Sequence, residues 1–497
     1  MNRVDSLLAC GHPDAVALMH GDLRWSYAQV AEGAARWAAL LLEAGVAPGD
    51  RVALWTDKVP EAVAALFGAW RAGAVAVPVN PVLKPAQVAH IVGDSGARLL
   101  VATDLRWRMV APLLDGVGPL LLGGPLPGGA GPVPRDPGAL AALLYTSGST
   151  GRPKGVMLTH SNLWHGADSV ATYLGLASDD VALAVLPLSF DAGLSVLTSA
   201  LRSGGATALA DFLAPSELVR AVERYGATTL SGVPPLFTQL VEARWPEQTT
   251  LRRLTVTGGR MPEQLTRRVR ALFPQARLHL MYGLTEAFRA LQLDPDLADT
   301  FPGSVGRPIP HAEVAIVRPD GSEAGPDEPG ELVQAGPLVA LGYWNDPERT
   351  SQRFRPAPAW MRSGGMAVFS GDTLRRDAQG LHWFVGRNDE MIKTSGYRVS
   401  PTEVEEAALA SGALGEAVAL GIPDDRLGQA VLLAAVPAAG LSAEEAEARL
   451  ARALAEALPA FMRPGMIVWR ERLPRNPNGK LDRVALRDEL ARARPAA

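Results

Sequence analysis

The chain has 497 residues, too many for one ordinary hydrophobic core, so at least two domains are expected. Apolar residues make up 47% and charged residues 20%, which excludes a disordered chain, and a net charge of −4 leaves no basic footprint for nucleic acid. One cysteine, Cys10, excludes a disulfide framework or a cysteine metal site and fits a reducing, cytoplasmic compartment.

Leu7-Leu-Ala-Cys10 has the outline of a lipoprotein cleavage box, but no apolar segment of useful length precedes it. No apolar run reaches the ~18 residues expected of a membrane span. Farther on, the periodicity predicts a helix over 27–45, a strand over 51–55, a helix over 61–73, a strand over 74–79, a helix over 85–92 and a strand over 98–102. Such alternation implies a parallel sheet covered on both faces. A Gly/Pro-rich connection at 120–138 leads to the apolar run Ala141-Ala-Leu-Leu144, which reads as a strand entering Tyr145-Thr-Ser-Gly-Ser-Thr-Gly-Arg-Pro-Lys-Gly155.

This loop suits a phosphate. Gly148, Gly151 and Gly155 permit φ > 0 and bring backbone N–H groups near an anion, while Thr146, Ser147, Ser149 and Thr150 offer hydroxyls and Lys154 a positive charge. A P-loop would need Ser or Thr after the lysine and a helix beyond it; here Gly155 follows, then the strand-like Val156-Met-Leu158. The loop therefore joins two strands. Alternation resumes with strands near 181–186, 206–210, 228–231, 254–257 and 278–281, a second α/β layer whose chemistry belongs beyond the strands' carboxyl ends.

One such strand runs into Tyr282-Gly-Leu-Thr-Glu286, placing a hydroxyl and a carboxylate at the sheet edge. From 303 to 386 short β runs with Gly/Pro/Asp turns predict a small antiparallel sheet or barrel. Within it Ser370-Gly-Asp372 reads by itself as a turn. Past Arg387 lies a compact segment of about 110 residues, a reasonable minimal domain. It opens on a charged linker, Gly386-Arg-Asn-Asp-Glu-Met-Ile-Lys393, followed by Gly396-Tyr-Arg398 and the helix start Pro401-Thr-Glu-Val-Glu405. Run 440–457 reads as a solvated amphipathic helix, and Lys480, after an Asn-Gly turn in Pro474-Arg-Asn-Pro-Asn-Gly-Lys480-Leu-Asp-Arg483, as an exposed lysine.

Taken together and in this order, these motifs resemble the signatures of the adenylate-forming superfamily: acyl-CoA synthetases, peptide-synthetase adenylation domains and luciferases. The resemblance implies an α/β fold with an N-terminal AMP-binding domain over 1–386, made of two α/β layers and a small β subdomain, and a mobile α+β C-terminal domain over 387–497. It implies ATP and Mg²⁺ as cofactors and a phosphopantetheine thiol, on a carrier protein or on CoA, as acceptor. Thr146, Ser147, Gly148, Ser149, Thr150, Gly151 and Lys154 would hold phosphates; Tyr282 and Gly283 would meet adenine; Thr285 would touch the α-phosphate and Glu286 would hold Mg²⁺. Asp372 would accept from the ribose hydroxyls, and Arg387 would approach ribose or phosphate. Asp389 would be the hinge, Gly396 and Arg398 would lie at the thioester-forming face, and Lys480 would bridge the carboxylate and the α-phosphate.

By the same resemblance, Leu186-Pro-Leu-Ser-Phe-Asp-Ala-Gly-Leu194 opens the acid pocket, with Gly258, Met281 and Arg289 along its wall. Asp191 is similar to the aspartate by which peptide-synthetase adenylation domains hold a substrate amine. Equally, an aspartate here can cap the helix that begins near Gly193. Arg289 either pairs with a second carboxylate on the substrate or sits on the surface, and Arg260 stands where the superfamily more often has Glu. A finer likeness, spread over 258–262, 282–289, 340–347 and 392–401, is to AMP-forming ligases found with exosortase systems, which keep company with acyl carrier proteins. This points to an amino acid loaded on a carrier protein. The competing readings are a CoA-thioester synthetase for a non-amino acid and a non-catalytic scaffold, the latter opposed by the presence of Glu286 and Lys480.

Overall fold

The computed structural model describes all residues except 1, 147–152, 213, 260, 388–390, 439, 475–480 and 494–497. The chain divides into two compact units, a larger one holding residues 1–81, 85–146 and 154–388 and a smaller one built on residues 389–497.

In the larger unit a six-stranded sheet runs in the order Gly118–Leu121, Leu99–Ala102, Arg51–Trp55, Val75–Pro78, Leu140–Thr146, Lys154–Thr159. Its strands are parallel except for the last pair, an antiparallel hairpin that sets Tyr145 opposite Gly155 and Thr146 opposite Lys154. Nearly all of Leu140–Thr146 is buried, as expected of a strand covered on both faces. Helix Tyr27–Glu43 begins at a capping box between Ser26 and Gln29, and Pro60–Arg71 begins with proline at its first position, where no N–H is needed.

The second sheet has fourteen strands. Its parallel heart is Arg277–Tyr282, Arg253–Val256, Thr229–Gly232, Val181–Ala184 and Ala206–Leu209, with register Thr229 to Arg253 and Arg253 to Arg277. The hairpin Val16–His20 and Leu23–Ser26 adds to one side. It has no sequence signal, because its strands are short and Leu23 and Arg24 are exposed rather than alternating. On the other side the antiparallel strands of 303–386 join the same sheet through Leu291–Leu293, which pairs with both Arg277–Tyr282 and Ser304–Pro308.

In the smaller unit Leu414–Asp424 and Gly428–Pro437 form a long antiparallel hairpin, with Met466–Trp469 parallel to the second strand. Helix Ala443–Ala457 starts at a Ser442–Glu445 capping box and buries Ala446, Leu450 and Leu454 while its other face stays in solvent. Glu405 accepts from the Ala419 N–H at 2.7 Å and pairs with Arg483, which fastens the last helix. Among the described residues no helix is long and apolar enough to cross a membrane.

Candidate active site

Strand Arg277–Tyr282 delivers Tyr282 at its carboxyl end, and the chain then turns through the single 3-10 turn Thr285–Ala287. Gly283 lies against the backbone of Arg289, where a Cβ would come within 2.9 Å of the arginine Cα. The turn buries Glu286 to 1% exposure. A carboxylate so desolvated needs compensation, and two groups supply it: the Tyr343 hydroxyl donates to Oε1 at 2.7 Å, and Lys154 Nζ lies 3.3 Å from the same oxygen. Lys154 also sits 3.7 Å over the Tyr343 ring. Burial, followed by the Glu286 charge, pushes the Tyr343 hydroxyl far above the usual phenol range, so it remains a donor. Thr146, cross-strand neighbour of Lys154, has a buried hydroxyl with no hydrogen-bond partner among the described residues.

A second contact joins Tyr282 to Asp372. Asp372 is not in a turn but inside the long strand Met366–Arg376, beside the positive-φ Gly371 and a register shift, opposite Arg387 in the ladder. The irregularity brings the carboxylate, 3% exposed, to accept from the Tyr282 hydroxyl at 2.6 Å. Residues separated by ninety positions thus meet at one sheet end.

Next to this lies a narrow cavity of about 20 Å³, with Val170, Leu174 and Val196 on one side, hydroxyls of Thr229 and Ser231 on another, and Met281 and Arg289 on the wall. Arg289 is 3% exposed, not on the surface. A strained γ-turn aims it: Phe288 has φ +60° and ψ −63°, and the Arg289 N–H donates to the Ala287 carbonyl at 2.6 Å. Arg289 Nη1 donates to the Phe288 carbonyl and to Asp191 Oδ2, both at 2.7 Å. Asp191 opens helix Asp191–Arg202 as its first residue and makes no capping bond, which removes the helix-cap reading. Gly258 is exposed in a positive-φ turn and is not in the cavity wall, where its neighbour Thr257 stands instead. A short loop needs φ > 0 there, which is why glycine occupies the position.

Sequence reasoning missed two residues of this region. Tyr343 lies within Ala340–Pro347 and is recognisable only once Glu286 is seen beneath it. Lys58, 5% exposed, donates to the Val185 carbonyl at 2.8 Å and pairs with Asp211 at 3.0 Å, pinning the strand end from which the pocket loop departs. Its burial holds the ammonium below its usual pKa. Its place just past the carboxyl end of Arg51–Trp55 is the clue that was available. In the smaller unit Ser395 and Gly396, both with positive φ, make the two-residue turn between Ile392–Thr394 and Tyr397–Val399, and Arg398 stands opposite Lys393. Ser147, Gly148, Ser149, Thr150, Gly151, Arg260, Asp389 and Lys480 lie outside the described residues.

With this geometry in hand, residues 9–344 match the AMP-binding enzyme family and residues 403–480 its C-terminal domain. The chain belongs to the AMP-binding enzyme family. It is 35% identical over 480 residues to a feruloyl-CoA synthase of Amycolatopsis sp., covering 94% of each chain. It is 30% identical over 489 residues to tyrocidine synthase 3 of Brevibacillus parabrevis, there covering 95% of this chain and 7% of that much longer protein. Among solved structures it is similar to a double mutant of o-succinylbenzoate CoA synthetase from Bacillus subtilis bound to a product analogue, with TM-score 0.87, 27% identity and 98% of both chains covered. This AMP-binding enzyme has the adenylate-forming fold, binds ATP and adenylates a carboxylic acid. It is an AMP-forming acid–thiol ligase of the acyl-CoA ligase or adenylation-domain kind.

Proposed function

We propose that the acid is an amino acid, activated as its aminoacyl adenylate with release of pyrophosphate and then passed to the phosphopantetheine thiol of an acyl carrier protein in the cytoplasm. The supporting observation is Asp191. It stands beside the acid cavity, 18% exposed, with Oδ2 held by Arg289 and Oδ1 without a partner among the described residues. An ammonium can therefore take Oδ1 without displacing the arginine.

In this reading Lys154, Thr146, Thr285 and the loop 147–151 bind the ATP phosphates. Tyr282 and Asp372 hold adenine and ribose, and their mutual hydrogen bond sets the distance between the two. Among the described residues no cluster of three or more His, Cys, Asp or Glu could hold a metal alone. One buried carboxylate, Glu286, fits Mg²⁺, which takes its other ligands from phosphates and water. Bound there, Mg²⁺ would neutralise phosphate charge. The protein's own part is positioning and electrostatics: charge spreads over the α-phosphoryl oxygens as the acid attacks, and Lys154 and Lys480 are the cations that meet it. Domain 387–497 would turn at Asp389 to bring Gly396 and Arg398 toward the thioester step.

Acid-dependent ATP–pyrophosphate exchange tests the assignment. Lys480→Ala should lower exchange at least a hundredfold; exchange at the wild-type rate would refute the first-step role. Asp191→Ala should abolish amino-acid-dependent exchange, and unchanged specificity would reject the amine role. A second reading, a CoA thioester of a non-amino acid, is favoured by two observations: the feruloyl-CoA synthase aligns over 94% of its length, and Asp191 already has a cationic partner. Formation of the thioester on CoA but not on any carrier protein would select it.

A further inference from the structure

The charges around the cavity narrow the acid further. Arg289 lines the cavity, is 3% exposed, and among the described residues commits only Nη1, to Asp191 and to the Phe288 carbonyl. Its Nε is buried and has no hydrogen-bond partner among the described residues. The Thr229 hydroxyl, in the same wall, is also buried without a partner among the described residues. The neighbouring Thr255 and Ser231 hydroxyls are bonded to each other at 2.8 Å, so they make no such demand. A guanidinium N–H and a hydroxyl, both desolvated and both unmatched, mark a place where an oxygen acceptor is missing.

Charge balance decides what brings it. Arg289 and Asp191 neutralise each other. A carboxylate arriving at Nε alone would leave a net negative charge in a wall that holds no other charged side chain among its lining residues, and an ammonium arriving at Asp191 alone would leave a net positive one. A substrate that carries both, apart from the carboxyl to be activated, keeps the site neutral and supplies the missing acceptor, whereas one that carries neither keeps it neutral but brings no carboxylate to the unmatched Arg289 Nε and Thr229 hydroxyl.

We infer that this enzyme activates an α-amino acid with an acidic side chain, of the aspartate or glutamate class, whose ammonium meets Asp191 and whose side-chain carboxylate meets Arg289 Nε and Thr229. The inference rests on the amino-acid reading above and adds the second charge. It makes Arg289 a specificity-determining residue.

The test is pyrophosphate exchange by the full-length wild-type enzyme with aspartate and glutamate, with alanine and 2-aminobutyrate, which lack the side-chain carboxylate, and with succinate and glutarate, which lack the amine. One of the acidic amino acids should exceed both kinds of analogue in kcat/KM by about a hundredfold or more, because a site built around a polar group rejects substrates that leave it unpaired. Arg289→Gln should then raise the KM for that amino acid while the KM for ATP stays put. Neutral amino acids outperforming acidic ones would overturn the inference and leave the amine reading standing. Diacids matching their amino counterparts, with Asp191→Asn without effect, would overturn both. The wild-type comparison stands even if a variant fails to fold.

Discussion

The most consequential side chain near the carboxyl end of strand Arg277–Tyr282 is Glu286, since the groups around it answer the problem of a carboxylate at 1% exposure. Lys154 and the Tyr343 hydroxyl share its Oε1. Removing a partner from a buried ion pair leaves an uncompensated charge, so Lys154→Met should destabilise the larger unit by about 3 kcal/mol, read as a lower urea midpoint, as well as slowing exchange. Tyr343→Phe removes one hydrogen bond to a charged group and should cost about 2 kcal/mol with a smaller effect on rate. A Tyr343→Phe enzyme as stable as wild type would show that Lys154 alone holds the carboxylate. Asp372 accepts a hydrogen bond from a phenol, that of Tyr282. Asp372→Asn should raise the KM for ATP about tenfold, the worth of one good hydrogen bond at about 1.4 kcal/mol, and leave the KM for the acid unchanged.

At the scale of elements, the cavity beside Arg289, where we propose the acid binds, depends on how loop 186–190 meets helix Asp191–Arg202. Gly193 sits on the first turn of that helix, and a Cβ there would lie 2.0 Å from the Pro187 carbonyl oxygen and 2.8 Å from that of Leu186. Both obstacles are backbone, so neither can rotate away. Gly193→Ala should push the loop off the helix and move Asp191 relative to Arg289, raising the KM for the acid at least tenfold while ATP binding holds. Equal acid KM values for variant and wild type would mean that the loop moves freely there. Lys58 braces the same loop from the six-stranded sheet through the Val185 carbonyl, which ties the pocket's shape to the packing of two sheets rather than to its own sequence.

For the whole molecule, buried imidazoles set the acid limit. His160 and His279 are held by burial at pKa values of about 4, against an ordinary value of 6.5, and His382 is also lowered. Folded-state values below the unfolded value mean that the unfolded chain binds more protons in that interval. Stability is therefore complete above about pH 6.5 and falls as pH drops toward about 4, by on the order of 3 kcal/mol for each of the first two histidines. Urea midpoints measured between about pH 7 and about pH 5 should fall with pH, and His160→Leu should flatten the slope. A midpoint independent of pH over that range would contradict the buried, neutral assignment.

Much of this was legible in the sequence. Alternating periods revealed two α/β layers, and the run Tyr145–Gly155 announced a loop between strands because its glycines, hydroxyls and lysine follow local backbone rules. Tyr282–Glu286 was recognisable as a strand-end motif for the same reason. What the sequence left open depended on partners far along the chain. Whether Asp191 caps a helix, and whether Arg289 is inside or outside, turned on an ion pair spanning ninety-eight positions and on a strained γ-turn at Phe288 that no local propensity foretells. Composition and spacing record what each residue prefers near its neighbours; only the tertiary structure brings together two opposite charges from distant parts of the chain and so decides that they pair.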